Sequence, residues 1–318
     1  MSFINYKYRP LYIEDIDYNI SIKKKLVNLA NNKMIDNIIC YGGNGCGKKS
    51  FLNTYLNLYF DNDNSIYNLK TIEYTLSNNY KIVYKSSPRH FMIYLTDNPK
   101  NNVLILQELI TSLCNTLSIV NNNTIIIIYN INKLQDNLIY LKYLSEKYIN
   151  TKFLCSSNCY TNLSIPFLQL RFEKLSYFDL LKITLKINKA EKFNLDNQMI
   201  KKIILSSENL NSLLNNLQSY KNNYNPINIL ENIINTLLNK NINDFDIIKS
   251  NLTNLLIIQS HSINYILNYI FENIINHINN KYEFTHEYAR LTENLILNND
   301  IKSIILLDTI IFYIYKMF

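Results

Sequence analysis

The chain has 318 residues, a formal charge of +7 and a pI near 8.9. That length allows two or three domains with a real core, and the basic balance suits a polyanionic partner without demanding one. Five scattered cysteines without a CxxC pair, and four unclustered histidines, argue against a disulfide framework and against a zinc site, and the start of the chain shows no signal-peptide core.

Taken in order, residues 22–35 read as a helix, with Ile22, Leu26, Leu29 and Ala30 on one face. Asn37–Tyr41 reads as a short buried strand, Gly42–Lys49 as a turn and Ser50–Tyr59 as a helix. Strands are predicted at Thr71–Leu76, Lys81–Tyr84 and His90–Tyr94, then a helix over Val103–Leu117. Thr124–Tyr129 is β-branched and uncharged, the mark of a central parallel strand. Leu134–Tyr148 reads as helix and Lys152–Ser156 as another central strand. This alternation implies a doubly wound α/β sheet.

Beyond Phe172 the pattern turns helical, over Tyr177–Asn188, Asp196–Ser206 and Leu210–Tyr220. A linker is predicted at Asn222–Pro226, and residues 227–318 read as helical and apolar. The expected division is an α/β nucleotide-binding domain (1–172), a helical lid (173–222) and a helical oligomerisation domain (226–318). Ile304–Tyr315 is the most membrane-like stretch. Asp308 interrupts it and it is short for a span, so a buried helix is expected rather than a membrane anchor. Asn121–Asn123 reads as a polar loop in an Asn-rich chain.

All four glycines fall between positions 42 and 47. The segment reads Tyr41-Gly42-Gly43-Asn44-Gly45-Cys46-Gly47-Lys48-Lys49-Ser50. Strand, glycine loop and helix together form a phosphate cradle: glycines let backbone N–H groups turn inward and the helix end adds positive potential. Lys48 is placed to reach the β- and γ-phosphates. Where a hydroxyl would hold Mg²⁺ stands Lys49, and Ser50 follows one place late. The acidic pair expected after the central strand is Asn130 and Asn132, two amides. ATP or ADP is the expected ligand, with no protein metal ligands assigned and the need for Mg²⁺ left open.

These residues resemble the small subunits of replication factor C, the AAA+ sliding-clamp loaders, and among them the type whose loop ends Gly-Lys-Lys-Ser/Thr. The opening Lys7-Tyr8-Arg9-Pro10, Asp17-Tyr18-Asn19, Ser86–His90, Leu106-Gln107-Glu108-Leu109, Glu146-Lys147-Tyr148, Cys155–Asn158 and Leu170-Arg171-Phe172 follow the family order, and Glu287–Leu297 resembles its terminal helix region. The resemblance implies an AAA+ P-loop core, a helical lid and an all-helical collar joining a hetero-pentamer. It implies other clamp-loader subunits, a ring-shaped sliding clamp and primer-template DNA, held through phosphates, as partners. It adds Tyr8, Arg9, Pro10 and the polar Asn158 to the nucleotide contacts, and makes Arg171 an arginine finger acting on a neighbour's ATP. It also points to helix Val103–Leu113 as the clamp-contact surface. A nuclear setting, or the replication compartment of a large DNA virus, follows from it.

Departures from the family bear on catalysis. Asn211 replaces the arginine after Asn209-Leu210, and Leu141-Lys142-Tyr143 replaces Leu-Arg-Arg. The expectation is a subunit that holds a nucleotide without hydrolysing it. Two alternatives stay open: a AAA+ DNA-dependent ATPase that turns over, with Asp136 as the nearest misplaced carboxylate, and a structural paralogue that binds no nucleotide.

Overall fold

A computed structural model describes residues 3–116, 123–162, 166–221, 226–239, 245–257, 263–278, 281–297 and 302–317. The chain forms two compact units, one of Arg9–Asp179 and one of Met1–Tyr8 with Leu180–Phe318. The end of the 103–117 helix, Asn121, Asn122 and residues 222–225 of the predicted linker lie outside the described residues.

In the Arg9–Asp179 unit, seven strands among the described residues form one sheet: β1 (Asn37–Tyr41), β2 (Lys70–Thr75), β3 (Lys81–Ser86), β4 (Phe91–Tyr94), β5 (Thr124–Tyr129), β6 (Thr151–Ser157) and β7 (Phe167–Arg171). Their order is β2-β3-β4-β5-β6-β1-β7. From β4 to β7 the pairs are parallel, while β2 and β3 add an antiparallel flank. This is an α/β fold with a mostly parallel sheet and a glycine-rich loop directly after β1. β5 is buried at all six positions, as a strand covered on both faces must be. Its Ile126 and Ile128 join Ile39, Ile93, Leu106, Leu141 and Phe153 in the core. The sequence reading missed β7, whose alternation of buried and exposed side chains is short and irregular.

The predicted helix at 22–35 spans Ile20–Asn31 instead. Lys33 takes a left-handed φ of 52°, and the N–H groups of Lys33 and Met34 return to the carbonyls of Ala30 and Leu29. This is a helix stop that usually uses glycine. Asparagine fills the same need elsewhere: among the described residues, five of the eight non-glycine residues with positive φ are Asn19, Asn62, Asn79, Asn130 and Asn194.

The helix expected over Val103–Leu117 is helical but not uniformly α. It runs as Pro99–Leu104, a π-helical stretch Ile105–Ile110, then Thr111–Cys114. Thr111 Oγ1 donates to the Leu106 carbonyl five residues back, at 3.0 Å, and so supports the wider turn. The predicted 134–148 helix begins as a 3₁₀ segment, Ile131–Asn137, and becomes α-helical over Leu138–Lys147.

The other unit takes up the chain within helix Tyr177–Glu191, and this helix, Asn197–Leu205 and Leu210–Lys221 follow the predicted spans closely. Asp196 caps the second of these by accepting from the Met199 N–H at 2.7 Å. Ile4–Lys7, a single helical turn, belongs here too, and the Ile4 N–H donates to Gln218 Oε1. Five helices follow among the described residues, from Pro226–Asn239 to Lys302–Met317. Ile233, Leu237, Ile266, Ile270, Phe284 and Ile310 anchor their shared core. Among the described residues, no helix is long and apolar enough to cross a membrane.

Candidate functional site

The loop lies between the carboxyl end of β1 and the helix Lys48–Tyr59, at the sheet edge where open α/β folds bind ligands. Gly42, Gly45 and Gly47 all take positive φ, and at two of them a Cβ would also clash. Gly42 has φ +151°, and a Cβ there would stand 2.3 Å from the Phe172 carbonyl oxygen. Gly47 has φ +87°, and a Cβ would meet the Tyr18 hydroxyl at 2.5 Å. Tyr18 is itself buried and packs edge-on against Phe51, which packs against Phe172. This aromatic row backs the loop. Asn44, on the loop's outer side, is exposed, while the Cys46 thiol is buried.

Lys48 is buried, and its Nζ donates to the carbonyls of Gly42 and Gly43, both at 2.6 Å. Burial lowers its pKa. Its ammonium is therefore held inside the loop it would share with a phosphate. Ser50 lies half-buried in the first turn of the helix.

Lys49 takes another course. Its Nζ lies 4.8 Å from the Tyr94 ring centre and 4.9 Å from that of Tyr129. The two rings stand 4.7 Å apart at 32°. They end neighbouring strands, since Tyr94 and Tyr129 are register partners on β4 and β5. The Tyr129 hydroxyl donates to Asn53 Oδ1 at 3.2 Å, which fixes that ring against the helix. Lys49 is exposed, yet desolvation, then the charges of Arg9 and Lys133, lower its pKa.

The amides lie beside this pair. Asn130 has a left-handed φ of 64°, and its N–H donates to Ser156 Oγ at 3.3 Å. Asn132 Oδ1 accepts from the Asn158 N–H, also at 3.3 Å. Lys133 forms an ion pair with the exposed Asp97.

Of the residues singled out from sequence, Gly42 to Ser50, Arg9, Asn130, Asn132 and Asn158 belong to the α/β unit, as does Pro10. Arg171 is exposed at the end of β7, paired in register with Tyr41. Tyr8 is grouped with the helical unit: its hydroxyl donates to Glu191 Oε1 at 2.8 Å, and Lys7 pairs with the same carboxylate. Asn211 sits in the first turn of helix Leu210–Lys221, where its N–H donates to Asn209 Oδ1. The side chain of Asp136 lies outside the described residues.

Sequence reasoning gave Tyr18, within Asp17-Tyr18-Asn19, no place behind the loop, and it missed Tyr94 and Tyr129. The last two could have been found, because each is the final residue of an apolar strand, at the edge where the loop opens.

A P-loop of this fold ordinarily works with Mg²⁺ held by a loop hydroxyl and a carboxylate. The donor set here does not fit that ion. A lysine holds the hydroxyl position, and amides hold the carboxylate positions. Among the described residues, no three or more His, Cys, Asp or Glu side chains converge to hold a metal.

No protein-family model matches the sequence, and no curated protein matches it significantly. Partial likenesses exist among solved structures. The Thermotoga maritima RuvB Holliday junction branch migration motor aligns at 11% identity with TM-score 0.45, over 67% of this chain and 64% of its own. The chain thus covers less than two thirds of that motor. AMPPCP-bound DnaA from Aquifex aeolicus aligns at 14% identity with TM-score 0.44, over 98% of this chain and 99% of its own. C. elegans PCH-2 aligns at 15% identity with TM-score 0.33, over 57% and 51%. The fold assignment rests on the strand order and loop described above.

Proposed function

We propose that this chain is a small subunit of a DNA sliding-clamp loader that holds ATP or ADP as a structural ligand and does not hydrolyse it. The single observation that carries the reading is the loop itself. A phosphate cradle with its lysine in place stands beside Lys49, Asn130 and Asn132, where a hydrolytic site needs a metal ligand and carboxylates. A neutral amide is a poor base and brings no charge to a metal. The clamp-loader assignment is supported by the ordered sequence resemblance from Lys7 to Leu297.

On this reading the nucleotide stiffens the α/β unit and the helical collar (226–318) joins other loader subunits. Arg171 reaches the ATP of a neighbouring subunit as a cation for the developing charge. DNA contacts fall on phosphates, so they are independent of base sequence and weaken steeply with salt.

The test is purification of the tagged chain from its native source with identification of its companions. The proposal expects other clamp-loader subunits, and an Arg171→Ala complex whose ATP turnover falls by about tenfold or more. Recovery of the chain without such companions refutes the clamp-loader reading, and ordinary turnover by the chain alone refutes the non-hydrolysing one.

A further inference from the structure

We infer that this site takes its nucleotide as the metal-free polyphosphate anion, with the Lys49 ammonium supplying the charge that a divalent cation supplies in other P-loops. The inference rests on the nucleotide-binding reading and says which form of the ligand is bound.

Three features of the site converge. First, Lys49 is not a loose surface charge. Two ring faces, those of Tyr94 and Tyr129, lie within 4.9 Å of its Nζ, and both rings are carried by strand ends. Ring faces attract cations, so the ammonium is positioned before any ligand arrives. Second, the surroundings are cationic. Arg9 and Lys133 both act on Lys49, and Lys48 occupies the loop next to it in sequence. A divalent cation brought here meets repulsion from several fixed positive groups. Third, the offsetting carboxylates are gone. Asn130 and Asn132 are neutral, and the acidic residue paired at this edge, Asp97, is 93% exposed and engaged by Lys133.

The free nucleotide carries two more negative charges than its Mg²⁺ complex. A site built from ammonium groups gains from both, while one that needs the metal complex gains from neither. Lys49 in this role binds charge and orients nothing for attack, in keeping with a ligand that is held rather than consumed.

The experiment is titration of the purified full chain with ADP, once with excess Mg²⁺ and once with EDTA. The expected result is an affinity in EDTA equal to or tighter than that in Mg²⁺. A Lys49→Thr variant, which restores a hydroxyl and removes the charge, should lose about tenfold or more in EDTA and recover part of that in Mg²⁺. Should that variant fold poorly, Mn²⁺ offers a readout on the unaltered chain: its spin-resonance signal in the presence of ADP should show no protein-bound ion. Loss of wild-type affinity by tenfold or more on chelation overturns the inference, and so does a protein-bound Mn²⁺. Absence of ADP binding in both buffers overturns the nucleotide reading beneath it.

Discussion

Three glycine-to-alanine changes separate the loop's geometric needs. At Gly43 a Cβ would meet only the Cys46 sulfur, at 3.7 Å, an ordinary contact. Gly43→Ala should therefore cost less than about 1 kcal/mol. At Gly47 two penalties combine. The left-handed backbone costs a non-glycine residue roughly 1–2 kcal/mol, and displacing a buried ring adds roughly 1–3 kcal/mol of overpacking. The ring in question, Tyr18, is trapped against Phe51, so Gly47→Ala should cost roughly 2–5 kcal/mol. Gly42 is the most severe case, because the obstacle at 2.3 Å is backbone. The carbonyl of Phe172 cannot retreat freely, since the N–H of the same residue donates to the Tyr41 carbonyl at 2.7 Å. Gly42→Ala should cost roughly 3 kcal/mol or more, a large share of an ordinary domain's stability. Urea unfolding followed by far-UV circular dichroism measures all three. A Gly43→Ala cost equal to that of Gly42→Ala, or a Gly42→Ala cost below about 1 kcal/mol, would refute the steric argument.

Lys48→Ala removes the only side chain seen donating to the Gly42 and Gly43 carbonyls among the described residues, and should weaken ADP binding by about a hundredfold or more in a fluorescence titration. His90 is buried with Nδ1 against Ser87 Oγ, and burial lowers its pKa to about 4. Its unfolded value lies near ~6.5, so the unfolded chain takes up the proton first. Stability is then lost as pH falls from about 6.5 to about 4, by roughly 3 kcal/mol, and His90→Gln should flatten that part of the acid unfolding curve. Of the five cysteines only Cys159 is exposed. Iodoacetamide followed by mass spectrometry should find it alkylated first in the native chain, with the others reacting only after unfolding.

Much of this architecture could be read from residue order, and the reasons differ by region. β1 and β5 were legible to the residue because each is an apolar run closed by a change of chemistry, Gly42 after the one and Asn130 after the other. The helices Tyr177–Glu191, Asn197–Leu205 and Leu210–Lys221 were legible through their 3.6-residue periodicity. Helix ends were harder. In a chain with glycine confined to one loop, Lys33 and several asparagines take left-handed turns that a reader expects glycine to mark. The π-helical stretch at Ile105–Ile110 leaves no period of its own in so short a window. β7 escaped because its pairing is set by β1 from a distant part of the chain, not by its own alternation.

The site divides in the same way. The loop and the missing carboxylates were visible as letters, since glycines and amides announce themselves by position. What Lys49 does instead of binding a metal was not visible. That depends on Tyr94 and Tyr129 being register partners, a fact of strand pairing. Likewise Tyr8 and Arg9 are neighbours in sequence yet fall into different compact units, and only tertiary contacts separate them.

On the proposed function, the loop holds a nucleotide and leaves it intact. The most direct measurement loads the purified chain with radiolabelled ATP, removes the excess, and follows the label on the protein over time. The expected result is close to one labelled nucleotide per chain, unconverted over many minutes, with or without Mg²⁺. Label released as ADP and phosphate at a rate on the order of 1 per second, the low end for ordinary enzymes, would contradict it. A chain that retains no label at all would contradict it as well.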